Sequence, residues 1–148
     1  MIMQRLLAFF VTVLCIWPVV AAAEGPVEVW RSPTCQCCGA WVEHLKKSGF
    51  SVKVNSTTPS MLDRLKRQVG IGKDLASCHT GKIGPYIIEG HVPASDIRRL
   101  LAERPDALGL TVPGMPLGSP GMERGDESEP YEVLLIKKDG TTEVFARH

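Results

Sequence analysis

The first half of the chain alternates between strand-like and helix-like patterns of apolar residues. Apolar and polar residues alternate over residues 26–30 and again over residues 50–54, which predicts two strands. Over residues 36–48 apolar side chains recur three and four positions apart, the spacing of an amphipathic helix that ends at Gly49. A second helix is predicted over residues 59–69, because a proline stands at its first position.

The second half continues the alternation and then loses it. A third strand is predicted over residues 86–89, and a third helix follows over residues 93–104. Residues 106–130 are rich in Gly and Pro and lack periodicity, which predicts a long loop. Short apolar segments at 133–136 and 143–145 flank an Asp-Gly pair and predict a hairpin. The whole order indicates an α/β fold of the thioredoxin-like kind, with a Gly/Pro/Met-rich loop and an added C-terminal β-hairpin.

An export signal is predicted over residues 1–23. Arg5 supplies the positive start, an apolar run follows, and three alanines end it as a cleavage site. The run is shorter than the roughly 20 apolar residues of a membrane-spanning helix, and Pro18 interrupts it. We therefore expect a periplasmic protein with no membrane span after signal removal, whose mature part is a single domain over residues 24–148.

The charge and cysteine content of that mature part limit the classes of partner and chemistry to be expected. Without Arg5 the basic and acidic side chains are equal in number, so no basic patch points to nucleic acid. Of the five cysteines, Cys15 lies in the signal, and the other four face an oxidising compartment. An even number of cysteines there usually forms structural disulfides.

The spacing of three cysteines argues for other chemistry. Cys35, Cys37 and Cys38 stand where the first helix begins, and its free N–H groups favour thiolates, which serve both as nucleophiles and as metal ligands. Adjacent helical residues point about 100° apart, so we expect Cys37 and Cys38 to diverge and to bridge different ions of a cluster. Thiolate-rich sites select Cu(I) or Zn. Two disulfides, Cys35–Cys38 and Cys37–Cys78, are the alternative.

The remaining candidate ligands lie farther along the chain. Cys78 and His79 precede the third strand, and in a thioredoxin-like domain that loop faces the start of the first helix. Met115 and Met122 offer soft thioethers from the loop, and His91 could reach the same face, although core packing or a surface position explains these three equally well. Four groups are expected to have no role in the site: a solvated His44, a frayed His148, Trp30 and Trp41 in the core, and Asp96, Arg98, Arg99, Glu103 and Arg104 on the solvated face of the third helix.

Four ordered blocks of the sequence resemble the CopG-type family of periplasmic copper-resistance proteins, long catalogued as a domain of unknown function. The resemblance implies a thioredoxin-like fold and a cysteine-bridged multinuclear copper site, with Cys35, Cys37, Cys38 and Cys78 as thiolate ligands and His79 as an additional one. It also places Pro85 where thioredoxins keep a cis-proline. The blocks are Ser-Pro-Thr-Cys-Gln-Cys-Cys-Gly at 32–39 with Trp41, Ser-Cys-His-Thr at 77–80, Glu-Gly-His-Val-Pro at 89–93, and the Pro-Gly-Met segments at 112–116 and 118–122.

Three functions are compatible with these residues. The first is copper binding for copper resistance in the periplasm, with Cu(I)/Cu(II) interconversion and with efflux or chaperone proteins as candidate partners. The second is a thiol–disulfide oxidoreductase in which Cys35 attacks and Cys38 resolves. The third is a structural zinc site. Enzyme status stays open, with a copper oxidoreductase as the candidate activity.

Overall fold

The computed structural model describes residues 25–148, so the signal predicted over residues 1–23 lies outside the described residues. The described chain forms three α-helices and seven strands. A 3-10 turn, Lys73–Leu75, follows the second helix. In chain order the elements are β1 (Val27–Arg31), α1 (Gln36–Lys47), β2 (Val52–Ser56), α2 (Pro59–Gln68), β3 (Thr80–Ile83), β4 (Tyr86–Gly90), α3 (Ala94–Glu103), β5 (Ala107–Val112), β6 (Glu132–Lys137) and β7 (Thr142–Arg147).

All seven strands belong to one mixed sheet. Their order is β2-β1-β3-β4-β5-β6-β7, in which β1 with β2 and β4 with β5 are parallel and the other neighbours are antiparallel. The α/β class predicted from the sequence is therefore confirmed. No helix of the described residues is both long and apolar enough to span a membrane.

The first helix forms as its sequence pattern predicts. Cys38, Trp41, Val42 and Leu45 are its buried residues, and they belong to one face because they recur three and four positions apart. Trp41 and Leu45 pack into the same apolar core as residues of α3. The N-cap residue is Cys35, whose sulfur accepts a hydrogen bond from the backbone N–H of Cys38. Burial of Trp41 and Leu45 in the core thus fixes the position of the first turn of the helix, which carries the cysteines.

Two strands were not predicted from the sequence. β3 is a four-residue strand containing Gly81, and its buried residues include Thr80, so it lacks the usual apolar alternation. β5 lies inside the segment expected to be a loop, and five of its six residues are buried. A strand covered on both faces shows no alternation, and Gly109 further weakens its strand-like pattern. Gly109 is required because a Cβ there would lie 1.8 Å from the carbonyl oxygen of Ile87 on β4.

Three side chains differ from their expected solvated positions. Asp96 is buried, and its carboxylate contacts Nε2 of His148 at 2.8 Å, so neither residue is free in solvent. The backbone of His148 also pairs with Tyr131, which excludes the predicted fraying. His44 accepts a hydrogen bond from the backbone N–H of Ala94 and thereby caps α3. Trp41 is buried as expected, and Arg98, Arg99, Glu103 and Arg104 are exposed as expected. Trp30 is only partly buried and does not belong to the apolar core, so its predicted core position is wrong.

The position assigned to Pro85 by the resemblance is wrong. Pro85 lies in the turn between β3 and β4, because Ile83 pairs with Tyr86 across that hairpin. The other end of the hairpin, where Thr80 pairs with Glu89, carries the segment of Cys78 and His79. All peptide bonds of residues 25–148 are trans. The error arose because the third predicted strand is in fact β4, and β3 was missed.

Candidate metal centre

The sheet topology brings the candidate ligands to one edge. β1 and β3 are antiparallel neighbours, so the end of β1 and the beginning of β3 lie at the same edge of the sheet. β4 runs back from β3, so its end returns to that edge as well. Cys35 follows β1, Cys78 and His79 precede β3, and His91 follows β4. The strand pairing alone therefore brings together four candidate ligands from three separate segments.

The four sulfur atoms form a compact group. Cys37 Sγ lies 3.5 Å from Cys35 Sγ and 3.8 Å from Cys78 Sγ, while Cys38 Sγ lies 3.7 Å from the carbonyl oxygen of Cys78. All four sulfurs lie within 4.8 Å of one another. The expectation that Cys37 and Cys38 diverge is therefore wrong. Since Cys35 is the N-cap and Cys38 lies in the first turn, their sulfurs meet, and the sulfur of Cys37 lies 3.5 Å from that of Cys35.

The oxidation states of the four cysteines are unequal. Cys35 and Cys38 form a disulfide across the first turn of α1. Cys37 and Cys78 are the free thiols among the described cysteines. Only one of the two disulfides in the alternative interpretation is thus present. In this oxidised state two thiols, not four, are available to bind a metal ion.

Two histidines extend the sulfur group. Cys78 Sγ lies 3.2 Å from His79 Nδ1 and 3.2 Å from His91 Nε2, and these three donor atoms form a second compact group. His91 Nδ1 lies 2.9 Å from the carbonyl oxygen of Pro120. Because a carbonyl can only accept, Nδ1 carries the proton and the neutral ring presents its Nε2 lone pair to Cys78. His91 is fully buried, so the surface alternative considered for it is wrong.

Burial sets the protonation of this second group. It lowers the pKa of His79 well below its usual value, and the neighbouring His91 and Lys66 lower it further. Burial also lowers the pKa of His91. The pKa of Cys78 is raised to about 12, mainly by burial and also by the nearby Cys37. At neutral pH the site therefore holds neutral imidazoles and a thiol that releases its proton when it binds a metal ion.

The donor set fits a soft metal ion. Thiolates and imidazoles are the ligands preferred by copper and zinc. Within the described part of the chain, His79 Nε2 is buried and lacks a hydrogen-bond partner, while its Nδ1 faces the Cys78 sulfur. The nitrogen that faces the sulfurs is Nδ1, so the unsatisfied Nε2 says nothing about a metal ion there. The observation that favours a ligand is the convergence of soft donors, Cys78 Sγ with His79 Nδ1 and His91 Nε2, in one buried group.

The glycine-rich loop after β5 covers the centre. The N–H of Gly114 donates to the carbonyl oxygen of Ala76, which places the loop beside the segment of Cys78. Farther along, the carbonyl of Pro120 orients His91, a role that the sequence did not reveal. Met115 is about half exposed, at 51%, whereas Met122 is partly buried. Met115 thus stands at the outer surface of the loop.

Gly121 fits this loop against α1 more closely than any other residue could. A Cβ at Gly121 would lie 2.7 Å from the backbone nitrogen of Trp41 and 2.8 Å from the carbonyl oxygen of Cys37, and its φ is +90°. We predict that Gly121→Ala lowers the free energy of unfolding by about 2–3 kcal/mol, from clash and backbone strain together. Gly140→Ala is the matched control, since Gly140 has φ +85° but open space around it.

Urea unfolding of the two variants measures this difference. The control should lose only about 1 kcal/mol, the part due to positive φ alone. Equal losses of unfolding free energy in the two variants would show that the loop can move away from α1 at no energetic cost, and would contradict the prediction. A titration with a soft metal ion should also show weaker binding by Gly121→Ala, because the displaced loop no longer holds Pro120 against His91.

Fold and site together define a mixed α/β domain with a group of cysteine and histidine donors that can bind a soft metal ion. Comparison with known proteins then identifies the family. Two solved structures of copper resistance protein CopG match the chain. Form 2 is 41% identical over 83% of this chain and 97% of its own, with a TM-score of 0.77. Form 1 is 40% identical over 84% and 98%, with a TM-score of 0.78. The chain belongs to the CopG family.

The other comparisons add one match. Residues 75–122 match the family model described as a protein of unknown function, DUF411. This range includes Cys78, His79 and His91 together with the covering loop, but not the cysteines of α1. No curated protein matches the chain. The resemblance to CopG noted from the sequence is thereby confirmed.

Proposed function

We propose that this protein binds copper for copper resistance and holds several copper ions in a copper–thiolate cluster. Once a thiol reductant has opened the Cys35–Cys38 disulfide, Cys35, Cys37, Cys38 and Cys78 would supply the thiolates, and His79 an imidazole. The single observation that carries the proposal is the position of the Cys78 sulfur. It lies 3.8 Å from the sulfur of Cys37 and 3.2 Å from a nitrogen of His79, so it belongs to both groups of donors.

Charge supports more than one copper ion. Four thiolates bring about four negative charges into a partly buried site, and several Cu(I) ions would neutralise them better than one. The second group adds His91 as a nitrogen donor, and imidazole accepts both Cu(I) and Cu(II). A mixed sulfur and nitrogen site can therefore support interconversion of the two oxidation states. Met115 and Met122 are proposed as weaker contributors from the covering loop.

The cellular setting and the fold name are further parts of the proposal. Export to the periplasm rests on the signal predicted over residues 1–23, and efflux or chaperone proteins are the proposed partners there. A thioredoxin-like core, within a single domain over residues 24–148, is supported by the strand order β2-β1-β3-β4 followed by α3. The cysteines of α1 then occupy the first strand–helix junction of that core.

Metal content and the visible spectrum of the protein test this function. Protein isolated anaerobically after copper exposure should contain more than one copper ion per chain. Oxidation in air should then produce colour, since a Cu(II)–thiolate centre absorbs visible light and Zn is redox-silent. Copper well below one ion per chain would reject the proposal. A colourless protein that carries one tightly held zinc ion would favour the structural zinc site instead.

A second function is favoured by one observation. The Cys35–Cys38 disulfide stands at the N-terminus of α1, where a dithiol oxidoreductase would place it. In that reaction one thiolate of a substrate dithiol attacks the Cys35–Cys38 disulfide to form a mixed disulfide and releases one protein thiolate. The second substrate thiolate then attacks the mixed disulfide, so the substrate leaves as a disulfide and Cys35 and Cys38 are left as thiols. Rapid turnover of a model disulfide by metal-free protein, unchanged by Cys37→Ser, would support this function over copper binding.

A further inference from the structure

A buried ion pair lies directly behind the candidate metal centre. Lys66 on α2 and Glu89 on β4 are 5% and 0% exposed, and their charged groups are in contact. Burying two charges is unfavourable unless further hydrogen bonds satisfy them, and apolar residues of the same size often stabilise a core as well. A contribution to the stability of the fold is therefore not a sufficient reason for a buried ion pair at this position.

The carboxylate of Glu89 bonds to the segment that carries the ligands. Its Oε1 accepts a hydrogen bond of 2.7 Å from the backbone N–H of Ser77, the residue before Cys78. Its Oε2 accepts one of 2.7 Å from the hydroxyl of Thr80, the residue after His79. Lys66 Nζ also donates to the Thr80 hydroxyl at 2.9 Å. One carboxylate thus holds both ends of the Cys78–His79 dipeptide.

Close packing at the same place reinforces this hold. A Cβ at Gly90 would lie 2.6 Å from the Cβ of Ser77, so the end of β4 presses directly on that residue. Lys66 also lines a surface cavity of about 330 Å³ whose wall includes Cys35 and Cys78. Lys66 therefore borders the same cavity as two candidate ligands, and its partner Glu89 is fully buried.

The geometry points to Glu89 as a positioning residue for the metal centre, with Lys66 as the partner that contacts its carboxylate and also donates to the Thr80 hydroxyl. This inference rests on the proposed copper function. The hydrogen bond to Ser77 is the essential element, because the charges of Lys66 and Glu89 largely cancel at the distance of the sulfurs. Without that acceptor the segment of Cys78 and His79 would lose its fixed orientation.

Two double variants separate the hydrogen bond from the charge. Lys66→Met/Glu89→Gln removes both charges but keeps an amide oxygen for the Ser77 N–H, whereas Lys66→Met/Glu89→Leu removes the acceptor too. Neither leaves an unpaired buried charge, so both should fold. We expect the Leu variant to bind Cu(I) about 10–100-fold more weakly in competition with a chromophoric chelator, the usual effect of losing such a partner. The Gln variant should stay close to the wild type.

Readouts without metal make the test independent of copper binding. In metal-free protein the Ser77 amide should exchange its hydrogen faster in the Leu variant, and iodoacetamide should alkylate Cys78 faster, as mapped by mass spectrometry. If wild type binds no copper, the proposed function fails while these two readouts still decide this inference. The exposed pair Glu43–Lys46 on α1 supplies the control, since Lys46→Met/Glu43→Leu should change none of them.

Two results would overturn the inference. One is a folded Leu variant with wild-type copper affinity and wild-type exchange at Ser77. The other is a Gln variant as weak as the Leu variant, which would show that the buried charges matter and the hydrogen bond does not.

Discussion

Replacing Cys78 by serine is expected to reduce the copper bound per chain by roughly half or more, the largest loss from any single substitution in the site. Cys78 Sγ is the atom shared by the two donor groups of the described residues, the four sulfurs and the set with His79 and His91. A serine hydroxyl is similar in size but is a hard, weak ligand for Cu(I). Its introduction should therefore disrupt both groups while the fold persists.

Cys37→Ser also replaces a thiol by a hydroxyl, but it affects only the group of four sulfurs. Cys37 belongs to the sulfur group and not to the set with the two histidines. We expect this variant to lose part of its copper but to keep the nitrogen-bound part. Copper analysis and circular dichroism of both variants, loaded anaerobically, measure the difference. Identical copper contents in Cys78→Ser and the wild type would reject Cys78 as the shared ligand.

The helices were predictable because each one carries a strong local signal. In α1, the apolar spacing from Cys38 to Leu45 and the glycine after the helix fixed its extent to within a residue. In α2, Thr58 caps the helix and a proline stands at its start, as the sequence indicated. The Asp-Gly pair likewise located the hairpin of β6 and β7. Such local signals do not depend on the rest of the fold.

The strands β3 and β5 were not predictable in the same way. Their conformation depends on partners that lie far away in sequence, such as β1 for β3 and β4 for β5. Thr80 is buried because Lys66 and Glu89 satisfy its hydroxyl, and no local pattern can reveal this. The same applies to Asp96, whose partner His148 lies 52 residues away.

The sequence identified candidate donors that the structure brings together, but not how they are arranged. The cysteine spacing and the Cys-His pair marked these candidates, since soft ligands are uncommon and concentrated in short segments. The roles of Pro120, Gly121 and Glu89 depend on backbone positions and buried contacts, which the sequence does not encode locally. His91 is the clearest example, because its orientation comes from a carbonyl 29 residues farther along the chain.

Chemical reduction of the Cys35–Cys38 disulfide is expected to raise Cu(I) binding to roughly twice that of the oxidised protein. In the oxidised state only Cys37 and Cys78 have free thiols among the described cysteines. A phosphine reductant supplies two electrons, is itself oxidised, and converts the disulfide into two thiols, which take up protons from water. These thiols already lie within 4.8 Å of the other two sulfurs, so little movement is needed.

The measurement compares protein reduced and desalted anaerobically with protein left oxidised, each titrated with Cu(I) against a chelator. A Cys35→Ser/Cys38→Ser variant is the control, because it has no disulfide to reduce and should bind the same amount after either treatment. Equal copper capacity in the two wild-type samples would mean that the disulfide sulfurs are not ligands. The centre would then be limited to Cys37, Cys78 and the two histidines. A site of that size would hold fewer ions, because only two thiolates would remain to bridge them.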